Sequence, residues 1–204
     1  MITAKQKQEL FPKYAKLVCQ ARFWVYTAQC LYAAAEQLEP ETNRLWKGLH
    51  DSIMSLEQKK DPEPFQASDY QAVYLMLVGY SLENLMKGFL AEKMKSEFSP
   101  EIGKTGKLPS ILKDHKLDKL AMKCQLKLSS DEVGFLKRLS RHIVWVGRYH
   151  FATSAEKFYH LTDSNTIPSS GKAWISNDIN EVKKLINNIA KQLRINIRPN
   201  GPTY

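Results

Sequence analysis

One segment limits the fold more than any other: SDYQAVYLMLVGYSLENLMKGFLAEKM, residues 68–94. It opens on a plausible helix cap at Ser68 or Asp69 and is apolar nearly all round through its middle. A helix with no polar face has to be surrounded by other helices. It is also interrupted by Glu83 and Lys87, and no stretch of the chain approaches the roughly 20 apolar residues of a bilayer crossing. The rest of the sequence therefore has to supply the surrounding layer.

Phe11, Tyr14, Val18, Ala21, Val25, Ala28, Tyr32 and Ala35 alternate in steps of three and four, which predicts one long amphipathic helix with Pro12 in its first turn and Pro40 at its exit. Leu45, Leu49, Ile53 and Leu56 predict a second helix, antiparallel to the first, ended by KKDPEPF. SEFSPEIGKTGKLPS reads as an exposed Gly and Pro loop. Its GKTGK lacks the glycine spacing and the preceding strand of a phosphate-binding loop. Leu117, Leu120, Ala121 and Cys124 predict a short helix, and Ser129 with Glu132 forms a capping-box pattern at the start of another. Residues 151–177 are a polar, turn-rich connection. Ile179, Val182, Leu185, Ile186, Ile189 and Leu193 mark a last helix over about 178–196, capped near Asn177. No strand pattern or internal repeat is visible.

The expected fold is all-α, an antiparallel bundle of about five to six helices. A chain of 204 residues with 43% hydrophobic content suits a single domain over 1–204, its core at about 8–150.

The net charge is +9, and residues 104–150 carry eight lysines and three arginines against Asp114, Asp118, Asp131 and Glu132, a regional net of +7. Such a surface favours acidic partners, RNA or nucleotide among them. Cys19, Cys30 and Cys124 are too few and too far apart for a disulfide framework or a zinc site, so neither metal nor cofactor is expected. The start MITAKQKQEL has no apolar leader, and the expectation is a cytoplasmic protein without membrane contact.

The stretch RLSRHIVWVGRYHF, residues 138–151, concentrates chemistry-bearing side chains without an acid. At about 100° per residue, Phe135, Leu136, Leu139, Ile143 and Val146 share a core face, while Arg138, Arg141, Trp145 and Arg148 share another arc. His142 and Tyr149 lie on the seam between them. Guanidinium groups take phosphate oxygens in pairs and an aromatic plane stacks a base, which makes Arg138, Arg141, Trp145, Arg148 and Tyr149 candidate ligand-binding residues. The same stripe would equally serve as a packing or dimer surface.

GYSLENLMKGFL, then DHKLDKL after a variable loop, then a helix ending in WVGRY together resemble the HEPN (higher eukaryotes and prokaryotes nucleotide-binding) superfamily, closest to a little-characterised bacterial branch. The resemblance covers residues 65–150 directly. It implies an α-helical bundle, often a homodimer, and in active members a metal-independent ribonuclease with an Arg-x4-6-His motif. Other members bind nucleotides, pair with a nucleotidyltransferase as a toxin system, or serve in antiviral defence. Glu83 and Lys87 match the Glu and Lys of the family's central helix, and their i,i+4 spacing independently suits an ion pair. In so apolar a setting Glu83 needs a partner, which Lys87, Arg138 or Arg148 would provide. His115 matches a recurrent family histidine ahead of a short helix, where capping or packing is its expected duty.

The late core helix departs from the family. Arg138 and His142 have only three residues between them, Arg141 and His150 have eight, and the one literal match, Arg44 to His50, lies in the predicted second helix. Catalysis would rest on Arg141 or Arg148 with His142 or His150. Three readings follow: an RNA- or nucleotide-binding module in stress or defence, a silent helical interaction protein acting through a homodimer or another protein partner, and a metal-independent ribonuclease.

Overall fold

The computed structural model describes residues 3–58, 70–141, 143–144 and 178–198. Eight helices are found there and no strand: α1 (Ala4–Val18), α2 (Ala21–Glu57), α3 (Gln71–Lys93), α4 (Lys95–Thr105), α5 (Ser110–Lys113), α6 (Leu117–Lys123), α7 (Ser130–Arg141) and α8 (Asp178–Leu193). The all-α bundle is as expected, with more helices than the five to six anticipated.

The apolar segment is the central helix. Tyr74, Leu75, Val78, Leu82, Leu85, Met86, Leu90 and Ala91 of α3 are all buried. Its partner α2 runs antiparallel, since Trp24 and Ala21 meet Gly88 while the Ser81 hydroxyl donates to the Ala28 carbonyl at 2.8 Å. A Cβ at Gly88 would stand 2.8 Å from that of Trp24 and 3.3 Å from the Ala21 carbonyl oxygen. The absence of a side chain lets the two backbones approach this closely. α7 and α8 are also antiparallel: Lys127 pairs through its backbone with Gln192, and Glu132 accepts from Asn188 at 2.7 Å. All six apolar positions predicted for the last helix are buried.

Three expectations are corrected. The long first helix is two: Thr3 and Gln6 form a capping box that starts α1 well before Pro12, and the chain breaks at Cys19 and Gln20. The Trp24 indole N–H donates to the Val18 carbonyl at 2.8 Å, satisfying a group exposed by that break. Pro40 does not end a helix, and the predicted second helix is the continuation of α2. The contacts that hold α2 straddle the proline: Tyr32, Ala35 and Thr42 are buried, Lys183 pairs with Glu39, and Arg198 pairs with Glu36 at 3.2 Å. Packing of this kind outweighs one missing N–H.

The predicted Gly and Pro loop contains α4. Phe98 and Ile102, four residues apart, are buried on the side packed against α1, and this outweighs the breakers between them. Gly106 then closes the helix in a left-handed conformation, φ 65°, its N–H donating to the Ile102 carbonyl at 2.7 Å. Its α-carbon rests against the Phe11 ring, which any Cβ would meet at 2.5 Å.

Candidate functional site

Glu83 leaves α3 at the point where α6 and α7 pack on it. Its Oε1 accepts from Lys87 Nζ at 2.7 Å, so the i,i+4 pair predicted from the sequence is present. Both side chains are almost fully enclosed. The second carboxylate oxygen meets His115, while Arg148 lies outside the described residues. His115 Nδ1 lies 2.9 Å from Glu83 Oε2, although histidine and glutamate are 32 residues apart. Where capping or packing is expected of His115, its ring makes this bond to the central helix.

An ionised carboxylate only accepts, so Glu83 fixes Nδ1 as a donor and leaves Nε2 as the ring's remaining polar atom. The His115 side chain is 49% exposed, against 7% for Glu83. A buried, doubly bonded carboxylate thus holds a solvent-facing imidazole in one orientation. The segment carrying the ring is fixed on both sides: Asp114 Oδ1 accepts from the Lys116 N–H at 3.0 Å, and the Leu117 N–H donates to Ser140 Oγ at 2.9 Å. Ser140 itself donates to the Leu136 carbonyl. That contact brings the start of α6 beside the last turn of α7, where Arg141 stands next in sequence.

The charge asymmetry of residues 104–141 is a surface property. Lys104, Lys107, Lys113, Lys116, Lys119, Lys123, Lys127, Lys137 and Arg141 are all exposed, as is Asp131, whereas Asp114, Asp118, Glu132 and Arg138 are partly buried. Met122 adds one large apolar side chain, 77% exposed, at the end of α6.

Of the predicted stripe, Arg138 and Arg141 fall among the described residues. They differ in setting. Arg141 is exposed, whereas Arg138 is partly buried with its guanidinium 4.6 Å from the centroid of the Phe135 ring. Arg138 also lines a groove of about 340 Å³ between α7 and α8, shared with Asp131, Glu132, Glu181 and Lys184. The core face of the stretch is as predicted at Phe135, Leu136, Leu139 and Ile143, all buried. Tyr80 of α3 donates to the Ile143 carbonyl at 2.9 Å. His142, Trp145, Val146, Arg148, Tyr149 and His150 lie outside the described residues, as do the 151–177 connection and Asn177. Arg44 and His50 both belong to α2, with Arg44 3.5 Å from Glu41.

The cysteines divide by environment. Burial pushes the Cys124 thiol up to about 12, a rise partly offset by Lys93, and its Sγ donates to the Met86 carbonyl. Burial also raises Cys19, against the pull of Lys95, while Cys30 is exposed. All three are free thiols. Among the described residues no helix is long and apolar enough to cross a membrane.

Comparison with known protein families, characterised proteins and solved structures finds no match to this chain.

Proposed function

We propose that this chain is a HEPN-like helical protein that binds RNA or nucleotide on the face built by α5, α6 and the last turns of α7, in a stress or defence setting. The observation that carries the reading is the exposure of Lys113, Lys116, Lys119, Lys123, Lys137 and Arg141 along these elements, with the His115 ring held by Glu83 in the segment between α5 and α6. Long-range attraction to a polyanion needs an excess of positive charge, and point contacts from lysine and arginine release counterions as they form. The order of GYSLENLMKGFL, DHKLDKL and WVGRY supports the same family reading.

The test is binding of a labelled mixed-sequence single-stranded RNA between about 50 and about 200 mM salt, for the native protein and a Lys137→Ala/Arg141→Ala variant. Binding that weakens steeply with salt, with a log–log slope reduced by about 2 in the variant, is expected. No binding at the lowest salt would overturn the reading. Running the RNA on a gel afterwards tests the ribonuclease alternative. Cleavage products lost in Arg141→Ala would establish it.

A second reading, a helical interaction protein forming a homodimer or a complex with another protein, is favoured by a different surface. Leu10, Leu17, Phe23 and Tyr26, at the elbow between α1 and α2, are 44–68% exposed. An apolar patch of this kind is what protein partners cover. Light scattering of Leu17→Glu and Phe23→Glu variants tests the homodimer, which requires a native mass of two chains reduced to one.

A further inference from the structure

The basic face contains one group whose charge is conditional. We infer that His115 is a phosphate contact of that face, and that the binding of a phosphate-bearing ligand there takes up one proton at its ring. This deepens the reading above, since it names the atom and the regulation of the same surface.

Three observations carry it. Glu83 Oε2 occupies Nδ1, so Nε2 is the atom presented by a ring that is half exposed. The carboxylate is buried and already paired with Lys87, so its orientation does not depend on the ligand. The third is the surrounding charge. The elements packed around the ring contribute Glu83 and Lys87 from α3, Lys113 from α5, and Asp114 and Lys116 from its own segment. Asp118, Lys119 and Lys123 come from α6, and Asp131, Glu132, Lys137, Arg138 and Arg141 from α7. Beyond the Glu83 and Lys87 pair, α5, the segment after it, α6 and α7 carry seven cations against four carboxylates.

A phosphate group bound beside the ring adds negative charge there and favours the imidazolium, whose Nε2–H then donates to a phosphate oxygen. Proton uptake and anion binding are therefore coupled. The sign follows from linkage. Affinity is lowest and flat at alkaline pH, where the ring is neutral whether or not ligand is bound. It rises as pH falls through the titration of the bound form, and levels off below that of the free form.

The experiment uses the full chain in two arms. In the first, affinity for a labelled single-stranded RNA is measured from pH 5.5 to 8.5 at fixed salt, for the native protein and for His115→Asn. The asparagine amide reproduces the donor to Glu83 but has no outer ring nitrogen, so a purely structural role for His115 would leave it indistinguishable from native. The expected result is an affinity about tenfold higher at the acid end in the native protein, equivalent to a one-unit shift on binding, and a flat profile in His115→Asn. In the second arm, the His115 ring is followed by NMR through a pH titration with and without inorganic tripolyphosphate, which carries phosphates but no bases. Its titration midpoint is expected to rise by about one unit with the anion.

RNA binding with the same pH profile in both proteins, together with an unmoved ring, overturns the inference and leaves the RNA reading standing. A ring that responds to tripolyphosphate in a protein that does not bind RNA upholds the phosphate site and overturns the RNA reading.

Discussion

Glu83 and His115 meet at 2.9 Å across 32 residues of chain, joining the central helix α3 to the segment that enters α6. Lys87 holds the other oxygen, so each carboxylate oxygen has a partner. An enclosed charge of this kind is tolerated only when its partners are complete.

Removing one partner is therefore expected to cost more than removing both. Lys87→Met should destabilise the protein by about 3–5 kcal/mol, since it leaves a buried carboxylate half paired. Glu83→Gln combined with Lys87→Met should recover most of that loss, because the neutral amide still accepts from His115. Urea unfolding of the two variants checks this, and a double variant no better than the single one would contradict it.

The close approach of α2 and α3 makes Gly88 intolerant of the smallest addition. An alanine methyl would sit 2.8 Å from Trp24 Cβ and 3.3 Å from the Ala21 carbonyl oxygen. Gly88→Ala gains about 1 kcal/mol in helix propensity, yet overpacking against a backbone carbonyl costs about 1–3 kcal/mol. The net expectation is a lower thermal midpoint, and Gly103→Ala, with open space around its Cβ, should behave oppositely.

Thiol chemistry should separate the three cysteines. Cys19 and Cys124 are buried with their thiols held protonated by that burial, whereas Cys30 is exposed. Iodoacetamide at about pH 8 is expected to label Cys30 alone in the native state and all three in denaturant, as read by intact mass. Rapid native labelling of Cys124 would show that α6 opens away from Met86.

The α7 cap gives a pH dependence. Burial tends to raise the Glu132 carboxyl, but the Ser129 N–H, the Asn188 amide and the Ser129 hydroxyl together outweigh it and hold the group below its ordinary 4.5. A depressed folded-state value contributes stability that is present above the ordinary range and is lost as pH falls through the lowered value. The difference in unfolding midpoint between the native protein and Glu132→Gln should therefore shrink on going from about pH 6 to about pH 3. Ser129→Ala should cost about 1 kcal/mol at neutral pH.

Local periodicity identified the layers of this bundle. The apolar belt of α3, the buried positions of α8, the Ser129 and Glu132 cap and the Glu83 and Lys87 pair are all patterns within one or two turns, and side chains three or four residues apart interact however the rest of the chain folds. The exposure of the lysines was equally legible, because lysine is almost never fully buried unless paired. The eight lysines of residues 104–141 are exposed.

Breakers and long-range partners were decided by tertiary structure. Pro40 and Pro100 stay inside helices because the flanking turns are packed, whereas the chain breaks at Cys19 and Gln20, which carry no breaker, and the freed carbonyl is met by Trp24. The histidine at Glu83 could not be read from spacing, since nothing local to DHKLDKL indicates which helix lies opposite it. A hydrogen bond between distant residues exists only once α6 and α7 have docked on α3, and that docking is set by burial summed over the whole core rather than by the pattern of any one segment.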